Sequence, residues 1–141
     1  MSSTMSLFDN ATMDEFNTKA KVKRTVSDKT SVRASILLEL LYFEKSGMNY
    51  ASKPSQEIPM LKKLNDKLTR KEIYCLIWTV AYTPPVIKGS NAALALRYIV
   101  YHAGGIMETE EYKEMLHFFD DDAIIRIEER IDGYFKSKHT E

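Results

Sequence analysis

Apolar residues along this chain recur every three or four positions, which is helical spacing; no strand-like alternation is sustained. Val32, Ile36, Leu37, Leu40, Leu41 and Phe43 form one stripe and predict a helix over 31–46, capped by Ser27 or Thr30. Gly47 follows it where a left-handed terminating residue is expected. Residues 48–57 read as a loop around Ser52-Lys53-Pro54-Ser55. Pro59 suits a first helical turn, so a short helix is predicted over 59–67 with Leu61 and Leu64 on its apolar face and Leu68 just beyond.

Thr69-Arg70-Lys71-Glu72 matches a capping box and starts a helix over 70–82. That helix is apolar almost all round, the pattern of an element buried on most sides. Thr83-Pro84-Pro85 stops it. Ser90 or Asn91 then caps a helix over 91–103 rich in small residues, with Gly104-Gly105 ending it. These two helices are expected to form a central antiparallel hairpin. Thr109 or Glu108 opens an acidic amphipathic helix over 109–119 carrying Tyr112, Met115, Leu116 and Phe119. Asp120-Asp121-Asp122 breaks it and caps a last helix over 123–136, whose face is Ile124, Ile127, Ile131, Tyr134 and Phe135. A thinner pattern, opened by the capping box Thr12-Met13-Asp14-Glu15, predicts a helix through Arg24.

The fold class is therefore all-α: an irregular bundle of five to seven helices around a central apolar helical hairpin. Residues 12–136 make one helical domain, with a flexible N-terminus over 1–11 and a flexible tail over 137–141. A length of 141 residues fits one domain that can bury a core without disulfides. Gly 5 and Pro 4 are too few for a many-turned β fold. The single cysteine, Cys75, sits in an apolar run and reads as a small buried hydrophobe. With no signal-peptide pattern and no apolar stretch of about 20 residues, the expected location is cytoplasmic, with no membrane partner.

Charge adds a second layer. The formal net charge is zero, yet residues 1–72 hold 13 Lys/Arg against 9 Asp/Glu, and residues 73–141 hold 7 against 11. A uniformly basic nucleic-acid binder is excluded; a locally basic one is not. The strongest concentration is Lys19, Lys21, Lys23, Arg24, Lys29 and Arg33, opposed by Asp28 alone. Lys62, Lys63, Lys67, Arg70 and Lys71 would extend it if the fold brings them close. Such a set can line a phosphate backbone and release its counterions. A solvated linker explains the same composition, and the only ring near the first run is Phe16, short of the interleaved aromatics of a single-strand binder.

The acidic set Glu108, Glu110, Glu111, Glu114, Asp120 and Asp121, continued by Asp122, offers a face for a basic partner. It lacks the central glycine of a calcium loop, and acids at helix N-termini are favoured by the macrodipole in any case. His102, His117 and His139 have no zinc spacing with Cys75. No nucleophile elbow or phosphate-cradling glycine loop is present, so no catalytic residue, metal or cofactor is assigned. Residues 69–101 fit a helix-turn-helix poorly, because the second helix offers only Arg97 to a groove. Arg97, the lone charge between Ala92 and Tyr101, either snorkels outward or is paired inside.

These observations predict a non-enzymatic regulatory protein. It binds a larger machine, nucleic-acid-handling or transcriptional, through its basic N-terminal segment. The alternatives are a protein–protein adaptor or inhibitor using the acidic C-terminal third, and an enzyme whose site no motif reveals.

Overall fold

Helices alone, seven of them, make up the regular structure among the described residues of the computed structural model, 27–84 and 94–139. They are α1 (Thr30–Ser46), α2 (Pro54–Asn65), α3 (Arg70–Tyr82), α4 (Leu96–Tyr101), α5 (Ala103–Met107), α6 (Glu110–His117) and α7 (Asp121–His139). The all-α bundle expected from periodicity is the observed fold. Residues Ser27–Tyr134 form one compact unit, to which every contact below belongs. The helix expected over 12–24 lies outside the described residues.

Local chemistry explains several helix ends. Gly47 terminates α1 at φ 75°, a conformation that costs glycine nothing, and its amide donates to the Phe43 carbonyl at 2.8 Å. The capping box at α3 is complete: the Thr69 hydroxyl accepts from the Glu72 amide at 3.2 Å, and the Glu72 carboxylate accepts from the Thr69 amide at 2.8 Å. Thr109 caps α6 by accepting from the Tyr112 amide, and Asp120 caps α7 by accepting from the Ala123 amide at 2.8 Å.

Two boundaries differ from expectation. The second helix starts at Pro54 rather than Pro59, which lies inside α2. Its start is held by Glu57, which is buried and accepts from the Tyr50 hydroxyl at 2.8 Å and the Ser52 hydroxyl at 3.3 Å. The expected helix over 91–103 is broken. Ala95 is extended, α4 begins at Leu96, and a non-helical His102 separates α4 from α5. The Leu96 amide donates to the Tyr50 hydroxyl at 3.2 Å, so a distant side chain satisfies this helix start. Gly104 and Gly105 lie within α5 and do not end α4. The expected cap at Ser90 or Asn91 is outside the described residues.

The centre of the fold involves more than the expected hairpin. Helix α3 is buried along Ile73, Tyr74, Cys75, Leu76 and Ile77, as its composition predicts. Its main neighbours, however, are α1 and α6, and α4 lies more against α2. Helix α1 supplies Ala34, Leu37, Leu38 and Leu41 to the core, whereas Phe43 from the predicted stripe is exposed. Helix α3 also touches α4 and α5, so the expected pairing of 70–82 with 91–103 is present among the described residues, beside the more extensive α1–α3 packing.

Helix α7 docks through Ile127 and Ile131, both buried, and through an ionic hub. The Glu128 carboxylate accepts from Arg33 Nε at 2.5 Å, Arg70 at 2.9 Å and the Tyr74 hydroxyl at 3.0 Å, joining α7 to α1 and α3. Arg33 also donates to Asp132 at 2.9 Å and to the Glu128 carbonyl at 3.1 Å. Burial alone would raise the Glu128 pKa. The hydrogen bonds from Arg33, Arg70 and Tyr74 outweigh it and hold the carboxylate below its ordinary value.

Candidate nucleic-acid interface

The basic residues singled out in the sequence separate into three groups. Lys19, Lys21, Lys23 and Arg24 lie outside the described residues. Arg33 faces inward, and the half-buried Arg70 is engaged in ion pairs. Arg33 is 6% exposed, with its guanidinium divided among Glu128, Asp132 and backbone carbonyls. Arg70 donates to Thr30 at 3.0 Å and pairs with Glu128 and Asp28. Turning either to a phosphate would take a donor from the part-buried Glu128 carboxylate, which argues against both as phosphate contacts. Lys29, Lys62, Lys63 and Lys71 are exposed, and no ion pair engages them among the described residues.

The structure then joins Lys63 and Lys67 to residues the sequence had not grouped with them. Because α4 lies beside α2, Lys63, Lys67, Asp66, Met60 and Leu64 share a hollow of about 380 Å³ with Val100. An adjoining hollow of the same size shares Met60 and Val100 and adds Arg97, Tyr98 and Tyr101. Arg97 points outward, donating to the Gln56 amide oxygen at 2.8 Å, which settles the sequence alternative in favour of snorkelling. The Tyr101 ring is 85% exposed and stands edge-on to His102 at 4.9 Å; Tyr98 lies 4.5 Å from the same imidazole.

This face therefore combines three cations (Lys63, Lys67 and Arg97), one acid (Asp66) and an open aromatic ring. That is the pairing of positive charge with a stacking platform which the first basic run lacks. Its sequence signal was weak: Arg97 and Tyr101 are four apart and share a helix face, but only the α2–α4 packing places lysines beside them.

The acidic residues Glu108, Glu110, Glu111, Glu114, Asp120 and Asp121 are all exposed. Several have local work: Glu110 and Glu111 sit in the first turn of α6, Asp121 in that of α7, and Asp120 is the α7 cap. Among the described residues no three His, Cys, Asp or Glu side chains converge as a metal site. Cys75 is buried, and burial pushes its thiol up to about 11, far from a reactive thiolate. No described helix is long and apolar enough to cross a membrane.

Comparison with known family models, characterised proteins and solved structures returns no match, so geometry and chemistry alone carry the functional argument.

Proposed function

We propose that this chain is a non-enzymatic regulatory protein of a nucleic-acid-handling assembly, and that its α2–α4 face contacts a single strand directly. The observation that carries the reading is the open Tyr101 ring beside Arg97, Lys63 and Lys67, none of the three held in an ion pair among the described residues. Stacking of one base on an aromatic ring contributes about 1–3 kcal/mol with little sequence preference. Each neutralised phosphate of a single strand adds about −0.7 to the slope of log K against log salt. Lys62 and Lys29, both exposed, and the run Lys19, Lys21, Lys23 and Arg24 extend the proposed contact on charge alone.

Anisotropy of a fluorescein-labelled single-stranded oligonucleotide, titrated at several salt concentrations, tests the reading. Lys63→Glu/Lys67→Glu/Arg97→Glu should flatten the salt slope by about 2. Tyr101→Ala should weaken binding about 10-fold and leave the slope unchanged, since it removes stacking and no charge. Absence of binding to wild type at low salt sinks the proposal.

A second reading rests on the exposed acids of α6: a docking face for a basic protein. Glu110→Lys/Glu111→Lys/Glu114→Lys would then abolish capture of a partner that survives nuclease treatment, whereas the first reading predicts capture that nuclease removes.

A further inference from the structure

Away from the basic face, α3, α6 and α7 line a groove of about 320 Å³. Its floor is Trp78 packed edge-to-face on Phe119 at 6.2 Å; Met115 and Phe118 form one wall, with the Phe118 ring 72% exposed. The other wall is helix α7, through Ala123, Arg126, Ile127 and Arg130. These four stand at i, i+3, i+4 and i+7, so the groove follows α7 for two turns, about 10 Å at 1.5 Å per residue.

The two charges that line it are both positive. Arg130 is committed: it pairs with Glu44, and its guanidinium lies over the Trp78 ring at 5.6 Å. Arg126 is exposed and has no ion-pair partner among the described residues. A carbon-lined trough with a free cation on its rim is complementary to an apolar stripe flanked by carboxylates. Its two-turn run along a helix matches side-chain anchors spaced at i, i+4 and i+7.

We propose that this groove receives an acidic amphipathic helix of a partner protein, its apolar anchors over Trp78 and Phe118 and a carboxylate on Arg126. The site is separate from the α2–α4 face and does not depend on strand binding. It would let the chain hold a protein on one surface and a strand on another.

Trp78 is the only tryptophan, so its emission reports the groove without a label. The probe is a short helical peptide with Leu at i, i+4 and i+7 and Glu beside them, compared with the same peptide carrying Lys for Glu. The expected result is a blue shift of Trp78 with the Glu peptide. Binding should weaken about 10-fold in Arg126→Glu, and the Lys peptide should recover binding to that variant. Phe118→Ser, another change at an exposed position, should weaken the Glu peptide while leaving the circular dichroism spectrum unchanged. The proposal is overturned by equal binding of both peptides, or by no shift with the Glu peptide up to about 1 mM. A shift produced only by sodium dodecanoate, or one that follows protein concentration alone, would also overturn it, naming a lipid-like anion or a second copy as the occupant.

Discussion

Replacing Glu128 by Gln removes the charge at the point where three helices meet. The carboxylate accepts from Arg33 at 2.5 Å, Arg70 at 2.9 Å and Tyr74 at 3.0 Å, and its side chain is 22% exposed against 7% for Arg33. Gln keeps one acceptor oxygen but turns an NH₂ group toward a guanidinium, donor against donor. Orphaning one member of a buried pair costs about 3–5 kcal/mol. Arg33 retains Asp132 and the Glu128 and Ser27 carbonyls, which moves the expectation below that range, to about 2–3 kcal/mol. For a chain of this size that is a fall in Tm of about 10 °C. Urea unfolding followed by circular dichroism measures it, with the exposed neighbour Glu129→Gln as control, expected within about 0.5 kcal/mol of wild type. A pH series extends the test. Because the folded Glu128 pKa lies below its ordinary 4.5, its contribution is complete above that value. It is lost as pH falls through the folded pKa. Glu128→Gln should lack this part of the acid limb. A loss under about 1 kcal/mol, or an acid limb identical to wild type, would refute the hub as a main fastening of α7.

Three further outcomes follow from backbone geometry and burial. Gly47→Ala should destabilise by about 1 kcal/mol, because φ 75° disfavours a Cβ, whereas Gly133→Ala should stabilise by up to about 1 kcal/mol, since it is helical and a Cβ there meets nothing within 4 Å. Chemical denaturation of the two variants checks both signs. Thr69→Ala, which dismantles the α3 capping box, should cost about 1 kcal/mol in the same assay. Cys75, buried and with its thiol raised to about 11, should react with a disulfide reagent at pH 8 at least about 100-fold more slowly in the folded protein than after unfolding.

How far the sequence disclosed this structure can be followed residue by residue. Local rules worked where local chemistry decides: Gly47 as terminator, the Thr69–Glu72 box, Asp120 as cap, Cys75 in the core. They failed where a distant group intervenes. The start of α4 is set by the Tyr50 hydroxyl, 46 residues away, and no pattern near Leu96 announces it. Apolarity predicts that α3 is buried, but it does not name α1 and α6 as the larger part of its packing. Charge along the chain groups Arg33 with the basic residues. Its spacing to Leu37 and Leu41 places it on the buried stripe, and Glu128 likewise falls between Ile124 and Ile131 on the inner face of α7. Two opposite charges on two apolar stripes were the legible signal of the hub. The α2–α4 face was legible only in part, since Arg97 and Tyr101 lie on one helix while Lys63 and Lys67 join them through packing. The Trp78 groove had one sequence hint, the adjacent Phe118-Phe119, which cannot both face the same core.

Hydrogen exchange of the full chain, with and without a single-stranded oligonucleotide, decides whether the α2–α4 face meets a nucleic-acid strand as proposed. Strand binding there should add protection in peptides covering 60–67 and 96–101 and none over 110–117, and Lys63→Glu/Lys67→Glu/Arg97→Glu should lose that footprint. Binding whose footprint falls on α6 or leaves α2 and α4 untouched would contradict it.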